Sequence, residues 1–442
     1  MLKDRRGLET STDNQAALAA FDDMVDGYVT FHVDMAKRLG EALKADPDFF
    51  MANVMKGGLA LLSLNAKNLD RATSALAHAA TLVDRANPRE RRHLDAMQAW
   101  AGGDLDRALR AWESIQALHP TDLLALRLAH FHYFWLGRSA RMLDSIVAAR
   151  RGWKSDLPGV SWVASMEAFG REECGEYAEA EHLAREAVAY DPSDRWGVHA
   201  VAHVLEMQGR TSDGIAWLDQ NQGCHAQANN FMFHLTWHRA LLQLEQDGPE
   251  GLLAWYDLRV RDLSSPLVQA LPDLYIDLQN AASLLWRLEH LGVDVGSRWR
   301  ELADKAEARI GDGSNLFTLP HLAMALAADG RFAAAERLIE GVEAIATPTL
   351  GPVASGIALP ACRAAVHHRR GEWKEAVAAL MPVRSELWRL GASHAQRDLL
   401  WQLLVDAAKK AGDAGAVSTL MVELTAMRPV PAAERRPYAR FA

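Results

Sequence analysis

Glycines recur through the middle of this sequence at a nearly constant spacing. Gly103, Gly137, Gly175 and Gly209 are separated by 34, 38 and 34 residues. Each ends a stretch of helical composition and precedes a polar turn and an alanine-rich stretch. Glycine is favoured just after a helix because the chain there often adopts a left-handed conformation that costs glycine little. A repeat of a little over thirty residues, in which a turn joins two helices, predicts an array of helical hairpins.

The clearest unit lies between residues 175 and 192. It contains Gly175, Tyr177, Ala180, Ala187 and Pro192. The small alanines allow two helices to approach closely, and the proline ends the second helix. This order of residues resembles the tetratricopeptide repeat. The resemblance implies an all-α, right-handed array of antiparallel helical hairpins, a tetratricopeptide-like solenoid whose concave face is the expected binding surface.

The same spacing predicts one helical-repeat domain over residues 1–442. Gly330, Gly371 and Gly412 are 41 residues apart, which predicts later helices that are longer by about one to two turns. Three prolines after residue 428 predict an extended tail. The predicted regions are N-terminal helices over 15–100, regular hairpins over 101–250, longer hairpins over 251–425 and an extended tail over 426–442.

Composition narrows the classes of partner. The net charge of −9 argues against nucleic acid, because a nucleic-acid interface needs a basic stripe. No stretch reaches the roughly 18 apolar residues of a membrane span. The three cysteines are far apart and indicate a reducing compartment. We therefore predict a cytoplasmic protein with no nucleic-acid or membrane partner. Its predicted ligand is a small molecule or a peptide, and the composition is compatible with a homo-oligomer.

Two neighbouring hairpins carry histidines at a spacing of four residues. His199 and His203 lie on the predicted first helix of one hairpin, and His234 and His238 on that of the next. Residues three or four apart share a helix face. First helices line the concave face of a tetratricopeptide array and stack side by side, so we expect both pairs to face one space.

A second cluster lies near the C-terminus. Ser393 is the predicted N-cap of a helix whose first turn holds His394, Arg397 and Asp398. Arg397 could clamp a carboxylate or phosphate, and the alternative is a structural network of Arg397 with Asp398. The 41-residue period is expected to deliver this turn to the histidine pairs from the opposite wall.

These residues support three hypotheses. The first is a binding protein for a small anionic ligand or peptide, and the second is an enzyme of hydrolase or lyase type. The third is a structural scaffold. In the enzyme, histidines serve as acid–base groups or as ligands of a divalent metal, although the more specific HExxH pattern is absent. The candidate catalytic residues are His199, His203, His234, His238 and His394, of which the first four are also the candidate metal ligands. The candidate ligand-binding residues are Trp196, Glu206, Trp237, His321, Arg397 and Asp398.

Several strings together resemble the tetratricopeptide repeat protein 38 family. They are residues 196–210, Phe233 and His234 with Trp237 and His238, residues 283–288, and residues 393–398. The similarity spans residues from about 160 to 410. The resemblance implies the helical-repeat fold and implies that the candidate residues above line its groove. It supplies no established reaction. Before His321 the family usually has an acidic residue, whereas this sequence has Pro320.

Overall fold

The computed structural model describes residues 2–439 and 441. Helices form nearly all the regular structure of this part of the chain. Its β pairing consists of two isolated bridges, Lys3 with Glu9 and His32 with Ala228. The prediction of an all-α helical-repeat array is confirmed. Within the described residues, no helix is both long and apolar enough to cross a membrane.

The first half of the chain is built from helices joined by short turns, in which consecutive helices pack together. They are α1 (Gln15–Val29), α2 (Met35–Ala45), α3 (Phe50–Leu62), α4 (Leu69–Thr81), α5 (Pro88–Ala101), α6 (Leu105–Leu118), α7 (Leu123–Trp135), α8 (Ser139–Arg150), α9 (Val160–Glu173), α10 (Tyr177–Tyr190), α11 (Arg195–Met207), α12 (Thr211–Gln220) and α13 (Phe231–Gln246).

The second half is less regular. Its helices are α14 (Leu252–Trp255), α15 (Pro266–Ala270), α16 (Tyr275–His290), α17 (Arg298–Glu307), α18 (Thr318–Ala328), α19 (Phe332–Glu343), α20 (Gly351–Val353), α21 (Leu359–Arg370), α22 (Trp373–Leu380), α23 (His394–Lys410), α24 (Ala414–Met427) and α25 (Arg436–Ala439). Two π-helical segments, Tyr256–Val260 and Ala354–Ala358, and a 3-10 segment, Met381–Leu390, interrupt them.

The glycine spacing marks real hairpin turns. Gly103, Gly137, Gly175 and Gly209 join α5 to α6, α7 to α8, α9 to α10 and α11 to α12, with φ values between 67° and 83°. Each of these helix pairs is in contact. The glycines are therefore the left-handed residues that close each first helix.

The longer C-terminal period has two sources. Helix α23 has 17 residues against the 14 of α6, as the sequence predicts, and α20, the π-helical segment Ala354–Ala358 and α21 follow one another without a gap. Helix α19, in contrast, has only 12 residues, and the 3-10 segment Met381–Leu390 supplies the remaining residues between Gly371 and Gly412.

The C-terminal segments lie against the turns of the regular hairpins. The backbone N–H of Thr349 donates to the carbonyl of Gly103 at 3.4 Å, and Gly137 is in close approach to the carbonyl of Trp388. The tail is not extended as the sequence predicts, because 432–434 forms a 3-10 turn and Arg436–Ala439 a short helix. Its buried residues include Tyr438. The second half of the array therefore folds back along the first.

The apolar core has two clusters. The first includes Trp196 of α11, and the second includes Trp237 of α13. The two histidine-bearing helices thus lie where these clusters meet.

Candidate functional site

Two contacts fix the start of helix α11: the N-cap Asp194, and the close packing of Gly197 against α9 and α10. The Asp194 side chain accepts a hydrogen bond from the backbone N–H of Gly197 at 3.0 Å. A Cβ on Gly197 would lie 2.8 Å from Ser165 Oγ and from Val188 Cγ2, so only glycine lets α11 sit this close to α9 and α10. This packing sets the depth at which His199 and His203 are buried.

Helix α13 is fixed at its start by a different set of contacts. The backbone N–H of Phe231 donates to Asn229 Oδ1 at 2.9 Å. Asn230 Nδ2 donates to Asp277 Oδ2 of α16 at 2.6 Å. These contacts hold α13 against α16 and orient His234 and His238 toward α11.

The structure brings the four predicted histidines together through one kind of atom. The Nε2 atom of His199 lies 3.0 Å from that of His203 and 3.1 Å from that of His234. The Nε2 atoms of His234 and His238 are 3.2 Å apart. One nitrogen of each ring lies within 4.8 Å of those of the other three, and all four side chains are buried. Two helical pairs thus form a single four-nitrogen cluster.

The opposite ring nitrogens face polar groups of neighbouring helices. His238 Nδ1 lies 3.1 Å from Glu206 Oε2, and His234 Nδ1 lies 3.0 Å from Asn280 Oδ1. His203 Nδ1 lies 3.6 Å from Glu172 Oε2. A carboxylate only accepts hydrogen bonds, so the Glu206 contact requires a proton on Nδ1 of His238. In a neutral ring this leaves Nε2 with a lone pair.

Aromatic side chains cover the cluster. The Trp196 ring lies 4.8 Å from the His199 ring, and the Trp237 ring stacks on His234 at 5.3 Å with an interplanar angle of 13°. Phe169 stacks on His199 at 5.3 Å. Both tryptophans are therefore walls of the cluster, and they exclude water from it.

Burial disfavours the charged form of these rings. It lowers the pKa of His199, His203 and His234 well below the ordinary histidine value, and the neighbouring histidines lower it further. The rings of His199, His203 and His234 are therefore neutral at physiological pH. Neutral imidazole is the form that ligates a metal ion.

Two consecutive glutamates of α9 lie next to the histidines. Glu172, Glu173 and His203 bring one ligand atom each within 4.8 Å of one another. Neither carboxylate oxygen of Glu172 has a hydrogen-bond partner among the described residues. Burial raises the pKa of Glu172 well above its ordinary value, and Glu173 and Glu206 raise it further. A cation in the cluster would favour the ionised form of this side chain.

The C-terminal cluster reaches the same region. Ser393 caps α23, as the sequence predicts, in a reciprocal arrangement with Gln396. The backbone N–H of His394 lies 3.3 Å from Glu173 Oε1, and Arg397 Nη2 lies 3.6 Å from Glu173 Oε2. Arg397 also donates to the carbonyls of Gly391 and Ala392. The charge of Arg397 is thus matched by Glu173, and it does not pair with Asp398 as the structural alternative supposed.

Asp398 and His321 lie outside the four-histidine cluster. Asp398 accepts hydrogen bonds from Arg435 at 3.1 and 3.2 Å and from the Tyr438 hydroxyl at 2.9 Å. Burial alone would raise the pKa of Asp398, but Arg435 and Arg428 lower it far below the ordinary value. Nδ1 of His321 contacts the carbonyl of Phe317 at 2.9 Å, and burial lowers the His321 pKa to about 4. Asp398 anchors the C-terminal segment, and His321 belongs to the core.

Sequence reasoning missed Asn280, which faces His234 from α16. The signal for it is weak: Asp277 and Asn280 are two polar residues three apart in a helix that carries several other polar residues. Sequence reasoning also missed Arg435 and Tyr438, whose proline-rich surroundings resemble a loop.

Comparison with known proteins gives a likeness of fold only. No protein-family model matches the sequence. A solved chain described as a human IFIT1 dimer with m7Gppp-AAAA is 13% identical to this chain, with a TM-score of 0.38. The match covers 94% of this chain and 91% of that one. A chain from the structure of Naa15/Naa10 bound to HypK-THB is 14% identical with a TM-score of 0.24. The match covers 96% of this chain and only 65% of that one.

One sequence prediction is corrected by this comparison. We expected the negative net charge to exclude a nucleic-acid ligand, yet the human IFIT1 dimer is described with m7Gppp-AAAA, a capped oligonucleotide. The exclusion of nucleic acid is therefore wrong. Net charge averages over the whole surface and says nothing about the local charge of a groove.

Proposed function

We propose that this protein binds one divalent transition-metal ion through the Nε2 atoms of His199, His203, His234 and His238. The supporting observation is the contact between His234 and His238. His238 carries its proton on Nδ1 toward Glu206, and His234 is placed to do the same toward Asn280. Two lone pairs would then face each other across 3.2 Å. Such a contact is repulsive unless a cation lies between the rings.

A metal ion fits this cluster better than a proton. Burial lowers the pKa of three of the rings, so protonation is costly. With Zn–N bonds of about 2.0–2.1 Å, the nitrogens of a tetrahedral site are about 3.4 Å apart. Three of the six separations, 3.0, 3.1 and 3.2 Å, need to widen by only a few tenths of an ångström, and the ligand atoms of the other three pairs lie within 4.8 Å of one another. Imidazole-only ligand sets suit zinc, copper, nickel and iron.

The surroundings favour a closed metal site that joins two hairpins. Catalytic sites keep a coordination position open, whereas structural sites have four protein ligands. All four histidines are at most 3% exposed. A neighbouring cavity of about 160 Å³ is lined by Glu206 and by none of the four rings. The enzyme hypothesis would require one histidine to leave the ion, so metal binding is the function we propose.

Of three further predictions from the sequence, we keep the family and the cytoplasmic location as proposals and give up the anionic ligand at Arg397. The quoted strings support membership of the tetratricopeptide repeat protein 38 family, and both histidine pairs should then recur among its members. Three free cysteines support a cytoplasmic location. An anionic ligand on Arg397 loses its support, because Glu173 already faces that guanidinium.

The test is metal analysis of protein purified without a polyhistidine tag. After loading with Zn²⁺ and dialysis, the unmodified chain should retain one ion, and X-ray absorption should show nitrogen ligands without sulfur. His199→Ala and His234→Ala should retain none. His182→Ala is the matched control, because His182 lies on α10 with a side chain that is 62% exposed. Equal zinc retention by His234→Ala and His182→Ala would overturn the proposal.

A further inference from the structure

A second site lies between the N-terminal helices and α7, and the rings of Trp196 and Phe231 separate it from the four histidines. It is a cavity of about 380 Å³, within the range of small-molecule sites. Most of its lining is apolar and comes from α1, α2, α3, α7, the start of α13 and the segment before α16. Aromatic rings of Tyr28, Phe31, Phe131, Phe231 and Tyr275 contribute to the wall.

One buried charge lines this cavity. Arg127 of α7 is 3% exposed, and its Nε and Nη1 atoms have no hydrogen-bond partner in the described part of the chain. No carboxylate of the described residues lies within 4 Å of its guanidinium as an ion pair. The guanidinium carbon instead lies 4.6 Å from the centre of the Trp196 ring and 4.9 Å from that of Phe31. Arginine stays protonated in proteins, so a positive charge is buried here with no carboxylate of the described residues in contact, and Asp194 acts on it only from a longer distance. Burying a charge in this way is costly.

A neutral donor accompanies this charge. The Tyr28 hydroxyl is buried and has no hydrogen-bond partner among the described residues. The Arg127 guanidinium lies 5.9 Å from the centre of the Tyr28 ring. Burial raises the pKa of Tyr28 to about 12, so the hydroxyl keeps its proton. Two unsatisfied buried groups therefore line the same cavity, and both can donate to an anion.

The backbone beside the cavity is strained. Phe31 has a φ of 58°, a left-handed conformation that is rare for a bulky residue. Two contacts hold it: the Asn229 N–H donates to the Phe31 carbonyl at 2.8 Å, and the Phe31 ring stacks on Phe231 at 4.0 Å. Strain of this kind persists where the surrounding structure enforces it and often marks a ligand site. Here it places an aromatic ring over Arg127.

We propose that this cavity binds an amphipathic organic carboxylate, with the carboxylate on Arg127 and Tyr28 and an apolar body along Met35, Leu59 and Leu62. A single buried cation and one hydroxyl match one negative charge, whereas a phosphate dianion would bring a second charge without a buried partner. Arg71 also lines the cavity but is exposed, so water screens its charge. The apolar lining accounts for the remainder of the ligand.

The test compares decanoate with 1-decanol, which has the same chain and no charge. Each competes with the fluorescent anion 8-anilinonaphthalene-1-sulfonate for the full-length protein. Decanoate should bind the unmodified chain at least about tenfold more tightly than decanol, since hydrogen bonds to a charged group are worth about 1.5–3 kcal/mol. Arg127→Met should remove this preference, and Arg127→Lys should keep part of it.

Controls separate this site from the metal site. Arg71→Met should keep the preference for decanoate, and so should His238→Ala, which removes a proposed metal ligand whose ring contacts no lining residue of this cavity among those the structure describes. If Arg127→Met does not fold, Tyr28→Phe should lower the preference severalfold in a folded chain. Equal binding of decanoate and decanol by the unmodified protein, or an unchanged preference in both Arg127→Met and Tyr28→Phe, would overturn the proposal.

Discussion

The Nε2 atoms of His199 and His234 lie 3.1 Å apart although the two residues belong to different hairpins. This contact joins α11 to α13, and the helical spacing then brings His203 and His238 to the same point. The two apolar clusters of the core meet at these helices. A metal ion here would therefore link the two halves of the core.

Removing the metal should destabilise the whole chain. A ligand at 100 times its dissociation constant stabilises the folded state by about 2.7 kcal/mol. We expect EDTA to lower the melting temperature of the unmodified, zinc-loaded protein and to leave that of His199→Ala unchanged. Differential scanning calorimetry with and without EDTA measures this. His182→Ala should respond like the unmodified chain; a metal-free protein that melts at the same temperature as the loaded one would contradict the linking role.

Glu206→Gln should weaken metal binding without unfolding the protein. Glu206 holds the proton of His238 on Nδ1 and so keeps Nε2 free for the ion. Loss of such a supporting partner typically costs 10- to 100-fold in affinity. Zinc competition with a chromophoric chelator measures the change. Glu186→Gln is the control, because the side chain of Glu186 is 65% exposed. If both variants bind zinc equally tightly, Glu206 has no such role.

The sequence predicts the neighbourhood of the histidines because the repeat period determines which helices are adjacent. His199 and His234 are 35 residues apart, close to one period, so their helices lie side by side. Asn280 lies 46 residues from His234, beyond the irregular stretch between α13 and α16. No periodicity connects them, so only the tertiary structure identifies Asn280.

Long-range charge pairs are equally hidden from the sequence. Arg397 and Asp398 are adjacent, yet Arg397 faces Glu173 and Asp398 faces Arg435. Neighbours in a helix point in different directions, and their partners depend on how the second half folds back. The prolines of the tail predict an extended chain, but the hydrogen bond from Tyr438 to Asp398 favours a folded one.

Arg397→Ala should now reduce stability. Both Arg397 and Glu173 are buried, so the substitution would leave a carboxylate without its cation. Breaking a buried pair in this way costs about 3–5 kcal/mol. The double variant Arg397→Ala with Glu173→Gln should recover part of the loss. Urea unfolding of the three chains measures the free energies, and a fully stable Arg397→Ala would show that the pair is not structural.

The contribution of Asp277 to stability should fall as pH rises toward neutrality. Burial raises the pKa of this carboxyl to about 7, although the hydrogen bond from Asn230 and the charge of Arg261 oppose the shift. Between the unfolded value of 3.8 and about 7, the folded state holds a proton on Asp277 that the unfolded state has lost. The contribution of this group to the free energy of unfolding therefore decreases with pH in this window, by at most about 1.4 kcal/mol per pH unit, whereas the buried histidines act in the opposite direction.

Asp277→Asn is the matching variant, because an amide has no proton to lose. Between pH 4 and pH 7, the slope of its free energy of unfolding against pH should be more positive than that of the unmodified chain. Urea unfolding over this pH range measures the difference. Two curves of equal slope would mean that Asp277 is ionised in the folded protein.

Alanine substitution at two glycines in equivalent hairpin turns tests the contact between the two halves of the array. Gly137 and Gly175 both follow a first helix, with φ values of 67° and 83°. Alanine in this conformation costs about 1–2 kcal/mol at either position. At Gly175 nothing lies within 4 Å of the added Cβ, whereas at Gly137 the Cβ would lie 1.8 Å from the carbonyl oxygen of Trp388. Gly137→Ala must therefore displace the 3-10 segment Met381–Leu390 as well.

We expect Gly137→Ala to cost about 1–3 kcal/mol more than Gly175→Ala, the usual penalty for overpacking. Hydrogen exchange should also show faster opening of residues 381–390 in Gly137→Ala alone. Because Gly175→Ala carries the same backbone strain, the difference between the variants isolates the contact of the first hairpins with the C-terminal half. Equal stabilities and equal exchange would show that the two halves do not press together at this turn.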